Sequence, residues 1–428
     1  MTGNETALVC AVVCLCAYAL EGNVYNPVFL MSGLWSIIMC LANMKLYGMF
    51  GASSLTYILI ALGIVCFAVG AAINKQKYYV LGEKGRQRLQ KYARSEGNNE
   101  INYRLLHLLC VLSVVVMIYP AVQSMKQLIL YGITMNDIRS DNSLTYSNAL
   151  LKMISNYIAR PFSFAIIPIF AAEVIAGKKR DRVVTLCTIL IVIERVLMEG
   201  GRMIILTVVI NLLLAVQMNR RVEKRKEIEY ERKPRKKWLL IVLVIVVAFT
   251  GIYWVSLSRG IQSDEFLFSL YAYLCGCVPN LSIRLDNVLS HGEHTYGLAS
   301  LNGYFAFIFS VFDHLGFGTP QFYRHAQSLM NVESGVQIRA YGSAHFNAFV
   351  GPYFYMYLDG GILGVMFGMA IYGAVSNHFY KMFRNYHRKR DFIMYLLIAQ
   401  GLINSMVRIQ FVNTYYAMAF VYLFILTI

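Results

Sequence analysis

Charge is scarce in this chain. Only 14% of its 428 residues are Asp, Glu, Lys or Arg, against 57% apolar residues, too few charged groups to clothe a soluble surface. No basic leader precedes the first apolar run, which carries Glu5 instead, so that run reads as a retained segment and not a cleaved signal. No internal repeat and no low-complexity stretch occurs. Zinc-type cysteine spacing is missing too. Seven of the nine cysteines (Cys10, Cys14, Cys16, Cys40, Cys66, Cys110 and Cys187) lie within apolar runs as small hydrophobes. Cys275 and Cys277 stand with one residue between them, an awkward spacing for a mutual bridge. The "HGEH" of His291–His294 offers two histidines without further ligands and reads as a surface loop.

What the chain has in abundance is long uncharged runs. They predict membrane-spanning helices at about 6–20, 27–43, 53–73, 104–122, 160–176, 183–198, 203–218, 238–256, 361–380, 392–406 and 411–428. The first is short, so ten spans stand beside eleven. The expected fold class is an all-α polytopic membrane protein, a single integral membrane domain over 1–428.

Four polar segments, 74–104, 177–182, 219–237 and 381–390, hold 27 of the 39 Lys and Arg residues. With these spans all four fall on one side, which the positive-inside rule makes cytoplasmic together with the C-terminus. The basic stretch 219–237, "NRRVEKRKEIEYERKPRKK", is then a topology signal that also meets anionic lipid, and nucleic acid is not an expected partner. Arg195, with Glu173 and Glu194, falls inside the apolar runs.

Two outer segments exceed simple connectors: 123–159 and 257–360. The second holds twenty aromatics between Phe266 and Tyr357, over a third of those in the chain. Its runs "FLFSLYAYLCGCV" and "LNGYFAFIFSVF" are too short to span and fit interfacial helices, with Tyr and Phe at headgroup level or lining a sugar-binding groove.

Two constellations carry chemistry. In "RVLMEGGRMIILTVVI", residues 195–210, Gly200 and Gly201 make a tight outer turn between spans, and Arg202 opens the next span. A boundary arginine either snorkels to the headgroups or offers its planar fork of donors to a diphosphate. Topology does not need this outer charge, which favours the diphosphate. Arg259, in "SRG" after span eight, and Arg408, between the last two spans, are its expected neighbours. The second constellation is "IRAYGSAHFNAFVGPYFYMYLDGGILGVMFG", residues 338–368. His345 is the candidate base, with Arg339 six positions earlier, Asn347 downstream and Asp359 as the alternative base ahead of Gly360 and Gly361.

The stretch "AHFNAF…YLDGGILGVMFG" resembles the His-Asn and Gly-x-x-Gly signature near the end of the O-antigen polymerase and ligase superfamily, with Phe346 here standing between His345 and Asn347. "GGRMIIL" is similar to that superfamily's outward arginine at the start of a central span, and "RHAQSLMNVESG" spaces Arg324 and Gly335 as in an outer-loop motif of some polymerases. Ten to twelve spans with two enlarged outer loops, the larger one late, match as well. The resemblance implies a C-type glycosyltransferase at the outer face of a bacterial cytoplasmic membrane. Its donor and acceptor would be oligosaccharide units on undecaprenyl diphosphate, with a chain-length regulator protein as a further partner. A diphosphate leaves readily when arginines take up its charge, and no DxD-like pair occurs in an outer loop, "SDEF" at Asp264–Glu265 being a weak substitute. Metal independence and no cofactor are therefore expected. A glycan ligase of the same superfamily is the second reading. A flippase for lipid-linked oligosaccharide is the third, disfavoured by sparse intramembrane charge and large outer loops.

Overall fold

The structure is a computed structural model that describes residues 1–73, 101–133, 137–138, 146, 148–176, 181–199, 203–226, 250, 253, 263–289, 292–331, 335–340, 345–346, 349–386 and 388–427. The described chain is mostly helical. In order come α1 (Gly3–Glu21), α2 (Pro27–Asn43), α3 (Ser54–Ile73), α4 (Tyr103–Leu130), α5 (Ala149–Ile154), α6 (Arg160–Ala176), α7 (Arg182–Glu199), α8 (Met203–Lys226), α9 (Ser263–Cys275) and α10 (Cys277–Leu289). Then follow α11 (Asn302–His314), α12 (Gln321–Met330), β1 (Val336–Gln337), β2 (His345–Phe346), α13 (Gly351–Tyr386), α14 (Lys389–Ile403) and α15 (Thr414–Leu426).

Local chemistry sets several of these boundaries. Thr2 and Glu5 form a reciprocal capping box on α1, which ends at Gly22 in the left-handed conformation. Asn26 caps the Val28 amide at 2.7 Å and Pro27 opens α2. Five helical stretches among the described residues are long and apolar enough to cross a membrane: Gly3–Glu21, Ser54–Ile73, Tyr103–Leu130, Leu150–Ala176 and Gly351–Asn385. Pro27–Asn43, Met203–Asn219 and Thr414–Leu426 are shorter apolar helices. Their surfaces suit lipid: Leu363, Phe367 and Ile371 form an exposed stripe on α13, as Leu108, Val111, Val115 and Ile118 do on α4. The protein is thus a helical membrane protein. The expected span 238–256 lies outside the described residues, apart from Thr250 and Tyr253.

The two long segments expected outside the membrane, 123–159 and 257–360, differ in detail from expectation. α4 continues to Leu130, eight residues past the expected end, and the chain first turns at Gly132 with φ +63°. At the other end of segment 123–159, α5 and a π-helical turn at Ser155–Ala159 run directly into α6. In segment 257–360 the aromatic runs form helices, as their spacing predicts, and a two-residue antiparallel ladder is added: Val336 opposite Phe346 and Gln337 opposite His345. The expected span at 361 begins at a break inside α13, where Gly360 is extended and Gly361 has φ +61°.

By its internal packing the chain divides into two compact units. One comprises Met1–Ser95, Leu267–His387 and Gly401–Ala417; the other Glu96–Phe266, Arg388–Gln400 and Met418–Ile428. In the first, α3 and α13 lie backbone to backbone. A methyl at Gly70 would strike the Ala370 carbonyl, and one at Gly373 the Phe67 carbonyl. Small residues at such a contact are how helices associate in lipid, where apolar burial alone gives no drive. In the second, buried Glu173 accepts from Tyr103 and Lys389, so its charge sits in a paired cluster on α4, α6 and α14.

Candidate functional site

In the first unit, three segments meet at residues 349–351. Val350 donates its amide to Val407 at 3.0 Å, and Gly351 bridges Arg408 in a parallel pairing. Gln410 ties the same turn by donating to the carbonyls of Asn404 at 3.1 Å and Arg408 at 3.2 Å. From α10, Asn280 donates to the Phe349 carbonyl at 2.8 Å and accepts from Arg284 Nε at 3.3 Å. Arg284, bonded to Asn280, and Arg408, paired through its backbone with Gly351, are therefore both tied to residues 349–351. Arg284 is 6% exposed, and its burial pushes the guanidinium below its ordinary value, although arginine stays charged throughout the working pH range. Arg408 makes no ion pair among the described residues. Two arginines tied to one short stretch of chain suit an anion with more than one charge.

Arg339 stacks its guanidinium 4.1 Å from the centre of the Phe268 ring and bridges Met49 through its backbone. Gln337 donates to the Arg339 carbonyl at 3.0 Å, and its backbone stands opposite His345. The small ladder therefore brings the His345 backbone and Arg339 to one place, six residues apart in sequence.

Asp359 has a different setting. Its carboxylate accepts from the Thr295 hydroxyl at 2.6 Å and from the amides of Gly297 at 2.8 Å, Ala299 at 3.0 Å and Ser300 at 3.0 Å. The Thr295 amide also donates to the Leu358 carbonyl at 2.8 Å. Asp359 thus holds the loop that leads into α11, and these four donors engage both of its oxygens. Exposed His294 lies against Gly361, and Tyr296 beside it has φ +49°. Arg324 is exposed on α12, next to His325, which pairs with Glu293 at 2.8 Å. Arg202, Arg259, Asn347 and His291 lie outside the described residues.

In the second unit, Arg195 donates to Ser163 at 2.5 Å and Glu199 at 2.6 Å, and Arg160 approaches the same carboxylate at 3.6 Å. Two guanidinium groups therefore take up the Glu199 charge. The sequence signals for these groups were faint. Arg284 follows Asn280 by four residues on one helical face, but a single arginine in a short amphipathic run does not stand out. Arg195 and Glu199 share the same four-residue spacing, read only as span interior and turn.

No described group of three or more His, Cys, Asp or Glu side chains has the arrangement to hold a metal ion. Among protein-family models, characterised proteins and solved structures, none matches this chain.

Proposed function

We propose that the chain is a polymerase that joins lipid-linked oligosaccharide repeat units at the outer face of a bacterial cytoplasmic membrane. The observation that carries this reading is that Arg284, through Asn280, and Arg408, through its bridge to Gly351, are both tied to residues 349–351, beside an aromatic-rich helical segment flanked by apolar helices. A paired guanidinium site of this kind suits the diphosphate of a polyprenyl-linked donor. The resemblance of residues 338–368 to the O-antigen polymerase and ligase superfamily points the same way.

In the proposed reaction, a hydroxyl of the acceptor glycan attacks the anomeric carbon of the donor. The carbon–oxygen bond to the diphosphate breaks, and polyprenyl diphosphate leaves with its new charge held by arginine. Arg284 and Arg408 take this role, with Arg202, Arg259, Arg339 and Arg324 as further donors to diphosphate and sugar. His345 accepts the hydroxyl proton, Asn347 orients the acceptor, and Asp359 keeps the neighbouring loop in place. Arginine supplies the charge stabilisation, so the reaction proceeds without a metal. The proposed fold has eleven spans, as in a C-type glycosyltransferase, with the C-terminus in the cytoplasm.

The test is incubation of the purified protein with lipid-linked repeat units, followed by sizing of the lipid-linked products. A polymerase yields a ladder of multiples. A ligase transfers glycan to a different acceptor without lengthening it, and a flippase moves the substrate and forms no bond.

A further inference from the structure

The turn between α2 and α3 is held in a conformation that L-residues rarely adopt. Lys45 has φ +47° and Tyr47 has φ +58°, two left-handed non-glycine residues within three positions. Such backbone persists only where its surroundings over-determine it, and ligand clamps are one place where it clusters. Here the surroundings are specific. The Leu46 amide donates to the Tyr271 hydroxyl at 3.1 Å, which donates onward to the Leu41 carbonyl at 2.8 Å. Phe50 donates to Ile338 at 2.9 Å, and Ala340 donates to Gly48 at 3.0 Å, so the turn forms an edge of the Arg339 segment. The Tyr47 ring packs 5.7 Å from Phe268, the ring on which Arg339 stacks, and 5.7 Å from Tyr271.

This turn presents two kinds of surface. Met44, Leu46, Tyr47 and Phe50 are exposed and apolar. Lys45 makes no ion pair among the described residues, and its ammonium folds back against Gly51, two positions from Met49, the bridge partner of Arg339. Lys45 on the turn, and Arg339 tied to it through Met49 and through the Phe268 ring it shares with Tyr47, stand beside exposed hydrocarbon and suit a lipid whose headgroup carries two negative charges better than a phosphodiester carrying one.

We infer that residues 44–50 with Arg339 bind an isoprenoid diphosphate, Lys45 and Arg339 holding the diphosphate and the exposed apolar side chains the first isoprene units. This rests on the polymerase reading for the identity of the lipid, and it assigns a donor-lipid contact to a turn that lies far in sequence from the other arginines.

The full-length protein in detergent, titrated with a short water-soluble isoprenyl diphosphate, tests it. Lys45→Gln, at an exposed position, weakens binding about tenfold, the size of one charge-assisted contact. Tyr47→Gly, which fits the left-handed backbone and keeps the turn, weakens binding through loss of the ring. Inorganic pyrophosphate binds more weakly than the isoprenyl form. Unchanged affinity in both variants overturns the proposal. So does displacement of the probe by excess phosphatidylglycerol as readily as by unlabelled isoprenyl diphosphate, which makes the turn a general lipid contact. Product sizing on the same proteins separates the two claims. A ladder from a protein whose diphosphate binding ignores both substitutions removes the site alone; loop-dependent binding without any ladder removes the polymerase reading alone.

Discussion

In the proposed mechanism His345 and Asp359 divide the work of the segment before the α13 break. Asp359→Asn turns one acceptor of the four-donor cluster into an NH2 group facing an N–H, which leaves a donor unmet. The expected cost is about 1–3 kcal/mol, read as a lower unfolding temperature, with polymer formation falling in step. Unchanged thermal stability contradicts the positioning role. His345→Ala, by contrast, stops glycan extension while donor binding persists on the arginines. If His345→Ala polymerises normally and Asp359→Asn, at full stability, does not, the base is Asp359. A third residue makes a pH prediction. Burial tends to raise the Asp181 carboxyl, but the Val184 amide, His107 at 2.8 Å and the Val183 amide outweigh it and hold it below its ordinary value of 3.8. A lowered carboxyl pKa contributes stability above the unfolded value and loses it as pH falls through the folded one. Asp181→Asn therefore unfolds earlier than the parent at about pH 6, and the difference fades below about pH 4. A gap that widens in acid contradicts the assignment.

The contact between α3 and α13 depends on two glycines. Gly70→Val must drive α3 off the Ala370 carbonyl, at a cost of about 1–3 kcal/mol or more, and a detergent-solubilised variant unfolds at lower temperature. Retained stability means the helices are not in backbone contact. Helix positions were the most legible part of the sequence. Asn26-Pro27 and Gly22 mark ends by chemistry that acts within a few residues. The overrun of α4 was not legible, because Gln123–Leu130 contains nothing that stops a helix, and the change from membrane to surface need not end one. The β1–β2 ladder escaped for the opposite reason: two residues per strand have no period to detect. The ties of Arg284 and Arg408 to residues 349–351 join distant positions that only folding brings together.

For the molecule as a whole, composition announces a membrane protein, and the exposed apolar stripes of α4 and α13 agree with it. The division into two units, with α14 and α15 each contributing residues to both, follows from long-range packing that hydropathy does not encode. The central claim is that this chain lengthens lipid-linked glycans with arginine in place of a metal. Proteoliposomes carrying the purified protein and lipid-linked repeat units, treated with a chelator and analysed by product size, test that most directly. The account predicts a ladder of multiples that survives chelation and is lost in Arg408→Ala at unchanged protein abundance; single repeat units from the parent protein, or a full ladder from Arg408→Ala, would contradict it.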